Sequence, residues 1–258
     1  TGVNDLIYLW DSSSWGSAVS VPANGIVTIP SEGDHTLWIK AVDTAGNIKT
    51  IAHQYKQDTQ SPSSGHTPTP SGWTTTSIGP ITLSASDNSP GSGLATNRYT
   101  WNSSTMSSGT TYSSGHTVTI PSEGSHVLRT QATDSAGNTG STSYWIYRQD
   151  TVHPSLSADK SSSAWSTSTI GTISLSSADT LPGSALSTLI YDWNDPSMNS
   201  SASFTNGQTI NGPSDGSHTL YLKATDVAGN ETTWSGSYKQ DRSNPVVSGT
   251  DSNLNWRT

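Results

Sequence analysis

Unlike landmarks recur along this chain at one interval. The stretches DTAGN, DSAGN and DVAGN open at Asp43, Asp134 and Asp226, 91 and 92 residues apart. Trp10, Trp101 and Trp193 keep the same spacing, as do His35, His126 and His218, while the Gln-Asp pairs ending at Asp58, Asp150 and Asp241 lie 92 and 91 apart. A register shared by so many different residue types means tandem repeats of one supersecondary unit, so any fold must be built from a module of that length. Cutting at the Gln-Asp pairs gives complete repeats at 58–149 and 150–241, the closing part of a repeat at 1–57, and 17 residues at 242–258 that correspond to the first strand of a further one. Thr1 aligns with Ser92, so the first repeat is expected to lack its opening strands, as an interior piece of a longer protein would.

Inside each repeat the pattern is that of strands. No window carries apolar residues at helical spacing over three turns, whereas ITLSASD, from Ile81 to Asp87, alternates with period two. Ten Trp and nine Tyr against one Phe, in a background of Ser, Thr, Gly and Asn, fit sheets and turns. The expected fold is all-β: an end-to-end array of immunoglobulin-like sandwiches of about seven strands each. In the second repeat, strands are expected after Pro62, at 78–87, at 98–102 with Tyr99 and Trp101 on one face, near Tyr112, at 116–120, at 126–134, and at 142–148. His126, Leu128, Thr130 and Ala132 should point inward, and the outward positions of the sixth strand carry Lys40, Arg129 and Lys223.

The combined motif W-x(n)-I-x-L-S-A-x-D, then Y-x-W, then G-x-H-x-L-x(3)-A-x-D-x-A-G-N resembles the bacterial immunoglobulin-like repeats found in tandem in giant surface adhesins and beside catalytic domains of secreted hydrolases. The resemblance spans the whole chain. It implies a spacer or stalk segment of a long bacterial cell-surface or extracellular protein, partnered chiefly by neighbouring repeats of the same chain and by a cell-surface or glycan ligand. The alternative reading is an accessory, carbohydrate-binding module of a secreted glycan-active enzyme.

Composition removes several classes. A net charge of −8, with eleven Lys and Arg scattered singly, offers no stripe for phosphates, and no long apolar run inserts into a membrane, so neither nucleic acid nor a bilayer is an expected partner. Without cysteine there are neither disulfides nor thiolate zinc sites. GPSDG, from Gly212 to Gly216, has the G-x-S-x-G spacing around Ser214, but its counterparts read IPSEG, and the chain has no helix to complete a nucleophile elbow. No enzyme is expected. The repeated histidines read as polar corners beside the sixth strand, because His53, His66, His116 and His153 do not recur to complete a metal site. The repeated tryptophans read as core residues, since the outward sixth-strand positions Trp38, Arg129 and Tyr221 keep no common aromatic. Asn102, Asn199 and Asn230 begin glycosylation triplets, frequent by chance in such a composition.

The aspartates carry more. In a sandwich of this topology the loops after the second and sixth strands lie where the chain enters, which should gather Asp58, Asp87 and Asp134 at one repeat junction and Asp150, Asp179 and Asp226 at the next, with Glu32 and Glu123 added from the preceding repeat. Two readings stand side by side. Each Asp caps loop amides while the Gly-Asn pair supplies the turn, or the acids bind inter-domain calcium, which takes six to eight oxygen ligands. Some repeats of the family that the chain resembles are stiffened by calcium at their junctions.

Overall fold

The computed structural model describes residues 2–22, 24–161 and 163–249, and among them the only helical segments are single 3-10 turns at Trp15–Ser17 and Met106–Ser108. Everything else regular is strand. The chain divides into two compact units, one made of residues 1–72, 78–121 and 126–147, the other of 73–77, 122–125 and 148–258.

The first unit begins with a four-stranded sheet, order β2-β1-β3-β4, from β1 (Val3–Trp10), β2 (Val19–Ser20), β3 (Gly33–Asp43) and β4 (Ile48–Gln57). Residues 58–149 then form β5 (Ser63–Thr67), β6 (Trp73–Thr74), β7 (Ile81–Ser86), β8 (Leu94–Trp101), β9 (Thr110–Thr111), β10 (Thr117–Val118), β11 (Gly124–Asp134) and β12 (Ser143–Gln149). They make a three-stranded sheet, β10-β7-β5, and a five-stranded one, β6-β12-β11-β8-β9. Alternation decides which side chains meet between them. Ile81 and Leu83 from β7 and Leu128 from β11 are fully buried, and with Tyr112, Val118 and Tyr147 they form one core, against which Tyr99 and Trp101 pack. Thr130 and Ala132 are buried in the same alternation as Leu128.

The second unit repeats this plan with β13 (Ser155–Ala158), β14 (Trp165–Ser166), β15 (Thr172–Ala178), β16 (Leu186–Trp193), β17 (Ala202–Ser203), β18 (Thr209–Asn211), β19 (Gly216–Asp226) and β20 (Glu231–Gln240). Its sheets are β13-β15-β18 and β14-β20-β19-β16-β17, closed over Ile173, Leu175, Phe204, Ile210, Leu220, Leu222 and Tyr238. The expected all-β sandwich is the fold. Each whole repeat carries eight strands rather than seven, because β6 and β14 add two residues each, parallel to the ends of β12 and β20. Residues 242–249, expected to begin a further first strand, contain none, and 250–258 lie outside the described residues.

Candidate metal centres

The D-x-A-G-N motif is a tight turn built the same way three times. The amide of its Asp donates to the carbonyl of its Asn at 3.1 Å in Asp43, Asp134 and Asp226 alike. Gly46, Gly137 and Gly229 sit at φ +92°, +99° and +103°, which a residue with a Cβ rarely adopts. The Asp carboxylate then caps the loop: Asp134 Oδ1 accepts the Asn138 amide at 2.8 Å, Asp226 Oδ1 accepts the amides of Gly229 and Asn230 at 2.7 and 2.8 Å, and the Asn side chain donates to the second oxygen in every copy. Asp43 makes these bonds with no companion acids among the described residues, so the turn alone accounts for the motif.

The remaining acids arrive from elsewhere in the sandwich. Asp58, Asp87 and Asp134 bring carboxylate oxygens within 4.8 Å of one another in the first unit, and Asp150, Asp179 and Asp226 do so in the second. Both expected sets of three are therefore assembled. Asp58 Oδ2 accepts the Ser92 amide at 2.7 Å and Asp150 Oδ2 the Ser184 amide at 2.5 Å, while Asp87 Oδ2 accepts the Gly93 amide at 2.8 Å. One oxygen in each set is buried without a hydrogen-bond partner: Asp87 Oδ1 and Asp179 Oδ2. A desolvated acceptor left unpaired is costly, so an orphan at the same place in both sets is where a missing partner belongs.

Electrostatics agree. The four ion pairs among the described residues engage Asp11, Asp34, Glu231 and Asp215, none of them in either set. Burial, then the neighbouring charges of Asp150 and Asp226, hold the Asp179 carboxyl above the usual range. Hydrogen bonds from Ser92 hold Asp58 below it. Three hard carboxylates with an orphaned oxygen fit a divalent cation such as calcium, with the remaining ligands left to water and loop carbonyls.

Glu32 and Glu123 do not join these sets. Glu32 instead accepts the Thr59 amide at 2.9 Å and the Thr59 hydroxyl at 2.6 Å, and Glu123 accepts the same pair from Thr151 at 3.0 and 2.8 Å plus Gln149 Nε2 at 3.1 Å. A carboxylate already holding the linker is better satisfied there than crowded against three like charges. Asp215 does the equivalent work in the third repeat, accepting Arg242 Nε at 2.7 Å and Gln240 Nε2 at 2.9 Å. Asn138 and Asn230 complete the fastening: their side-chain amides donate to the backbone carbonyls of Asp58 and Asp150 at 2.9 and 2.8 Å, 80 residues away in sequence. Their recurrence in the motif was visible in the sequence, but this reach was not.

The histidine corner has a partner the sequence did not reveal. Asp11, Asn102 and Asn194 sit at φ +59°, +56° and +63°, and each side chain accepts an amide from the paired strand β3, β11 or β19, at Thr36, Val127 and Thr219, while contacting the histidine Nδ1. Asn102 is thus tied into this corner and Asn230 is buried, so neither triplet presents a free side chain. In the first repeat, Ser31 Oγ lies 3.2 Å from His35 Nε2 and Asp11 Oδ2 lies 2.7 Å from His35 Nδ1, in the order of a nucleophile, base and acid. However, His35 Nε2 also faces the Ser31 carbonyl at 3.0 Å, and a nitrogen that donates there cannot take the serine proton. Ser214 lies in a strand-to-strand turn between β18 and β19, not at an elbow.

No protein-family model matches the sequence, and no curated protein does. Among solved structures, the chain is similar to a tetra-tandem repeat in the extending region of a large adhesion protein, at 18% identity over 94% of this chain and 68% of that one, with a TM-score of 0.43. The D00-D0 domain of intimin follows at 16% identity, 69% and 98% coverage and a TM-score of 0.37. A Ca2+-stabilized adhesin with which an Antarctic bacterium reaches out and binds ice stands at 15%, 93%, 65% and 0.27. At such identities and scores, the fold assignment stands on the chain's own sheets and cores.

Proposed function

We propose that this chain is a spacer segment of a long bacterial cell-surface or extracellular adhesin-like protein, made of repeats that meet at Asp58, Asp150 and Asp241. The observation that carries the reading is that the recurrent polar residues are spent on the linkers. Glu32 and Asn138 hold the Asp58-Thr59 linker from two sides, and Glu123 and Asn230 hold Asp150-Thr151 in the same way. A chain whose repeated chemistry is spent on holding its linkers is organised to transmit load. The Asp58, Asp87, Asp134 set and the Asp150, Asp179, Asp226 set would hold calcium at those linkers, where oxygen coordination adds a metal crosslink between loops and linker.

Pulling single molecules from their ends tests the reading. Two sandwiches of equal size should rupture separately, each releasing about 30 nm of chain, since an extended residue spans about 3.3 to 3.6 Å. Calcium should raise both rupture forces. A single rupture spanning 58–241, or forces indifferent to calcium and to loss of Glu123, would overturn it.

A further inference from the structure

The outward face of the five-stranded sheet is stitched to a loop in the second repeat and gapes beneath it in the third. Arg98 on β8 and Arg129 on β11 reach to the loop that follows β8, donating to the carbonyls of Gly109 at 2.9 Å and Ser103 at 3.2 Å. Met106 in that loop is 8% exposed. In the first repeat Trp15 stands where Met106 does, and Lys40 Nζ lies 5.5 Å from its ring centre, so sheet and loop are joined there as well. The third repeat lacks either device. Ile190 and Tyr221, 92 residues beyond Arg98 and Arg129, carry no guanidinium for the loop carbonyls, and Lys223, the counterpart of Lys40, turns to Glu231 at 2.7 Å. A cleft of about 530 Å³ remains between Ile190, Tyr221 and Lys223 on the sheet and Pro196 to Met198 in the loop. Ligand sites commonly measure about 300 to 1,000 Å³. The rim is preformed, because Asp195 accepts the amides of Ser197 and Asn199 at 2.8 and 3.0 Å.

The lining narrows the ligand class. Cross-strand neighbours share a face, so the pairings Tyr221↔Ser235, Lys223↔Thr233 and Ile190↔Lys223 set an aromatic ring, two hydroxyls and an aliphatic stem side by side. Asp192, opposite Tyr221 in the ladder, adds a carboxylate that enters no ion pair among the described residues. An anion would meet that charge with the only nearby lysine already neutralised by Glu231. A wholly apolar ligand would desolvate the hydroxyls without pairing them. A sugar ring meets both demands: its C–H face suits the electron-rich face of an aromatic ring, and its edge carries hydroxyls that donate and accept.

We propose that this cleft of the third repeat binds a neutral oligosaccharide, with one pyranose stacked on Tyr221 and its hydroxyls bonded to Ser235, Thr233 and the Asp192 carboxylate. The site uses none of the residues of the linker clamps or the acid sets, so it stands or falls apart from the spacer reading.

The test titrates the isotope-labelled full chain with cellotriose, maltotriose and triacetylchitotriose at millimolar concentration and follows the backbone amides. At least one of the three should shift Tyr221, Lys223, Thr233 and Ser235 saturably, leaving the equivalent amides of the second repeat still. Tyr221→Ala should weaken that binding by about tenfold or more, while Tyr221→Trp should keep it. Ile190→Arg together with Tyr221→Arg, which restores the arginine pair of the second repeat, should abolish it with the thermal midpoint of the second unit unchanged. No saturable shift with any of the three sugars, or equal binding by Tyr221→Ala, overturns the proposal. Shifts of the same amides by tetramethylammonium or galacturonate and not by the neutral sugars overturn it too, by making a charged ligand the occupant.

Discussion

Asp11 Oδ2 stands 2.7 Å from His35 Nδ1 in the first sheet, where the later repeats place the neutral side chains of Asn102 and Asn194 beside His126 and His218. The hydrogen bond to Asp11 raises the His35 pKa above its ordinary value, and the same bond, with that from the Thr36 amide, lowers that of Asp11. A histidine raised in the folded state contributes stability that is fully present below its unfolded value of about 6.5 and is lost as pH rises through the folded one. The first sheet should therefore loosen on going from pH 6 to pH 9, and Asp11→Asn should flatten that dependence. Amide exchange along β3, followed with the His35 ring titration, measures both; a His35 that titrates at or below 6.5 would remove the basis of the prediction.

The asparagine that closes each motif differs in what it holds. Asn230 is 3% exposed and donates to Asp226 Oδ2 and to the Asp150 carbonyl, so Asn230→Ala strands a buried carbonyl, at a cost of about 1 to 3 kcal/mol. In a domain of this size, each kcal/mol corresponds to roughly 4 to 8 °C of thermal midpoint. Asn47 is exposed and, among the described residues, holds only its own turn, so Asn47→Ala should cost within about 0.5 kcal/mol. Calorimetry of the two variants decides the point, and equal losses would show that the reach to Asp150 adds nothing.

The linker clamp can be broken without touching the acid sets. Glu123→Ala removes the acceptor for the Thr151 amide, the Thr151 hydroxyl and Gln149 Nε2, and should cost about 1 to 2 kcal/mol, whereas Glu123→Gln keeps one carbonyl acceptor and should cost less. Exchange at the Thr151 amide reports the clamp directly. Thr151 protection unchanged in Glu123→Ala would mean that Asn230 alone fixes the linker.

How much of this was legible before the structure depends on whether a residue's partner lies nearby in sequence. The repeat, the inward alternation of His126, Leu128, Thr130 and Ala132, and the convergence of two sets of acids followed from register and strand count. The two-residue strands β6 and β14 did not, because Trp73–Thr74 and Trp165–Ser166 have no periodicity of their own and become strands only against the ends of β12 and β20. Strand β8 begins at Leu94, four residues ahead of the expected Arg98, since the polar Thr96 and Asn97 hid the alternation while their pairing with Thr133 and Ala132 enforces it. The role of Glu32 was hidden for the same reason. Its partner Thr59 is the residue next to the aspartate it was expected to accompany, and only distance separates the two assignments. Asp215 shows the logic: the acid persists in the third repeat while its partner changes from a threonine to Arg242.

Asp179 offers the sharpest test of the metal reading. Its carboxyl is held above the ordinary range by burial and by the charges of Asp150 and Asp226, and its Oδ2 has no hydrogen-bond partner. A carboxylate raised in the folded state binds its proton more tightly there than in the unfolded chain, so without metal the sandwich should lose stability as pH climbs from the ordinary carboxylate range through the raised value. Calcium bound as proposed would reverse the sign of the problem, because the same charges that repel one another would become its ligands. Asp179→Asn should therefore raise the metal-free thermal midpoint of the second unit at pH 7, abolish its response to calcium, and leave the Asp58, Asp87 and Asp134 set responsive. Binding saturated at 100 times the dissociation constant would stabilise the parent site by about 2.7 kcal/mol. Calorimetry of parent and variant, with calcium and with chelator, reads all three outcomes. A parent midpoint that calcium leaves unmoved, together with a variant no more stable than the parent, would return these acids to the loop amides they already cap.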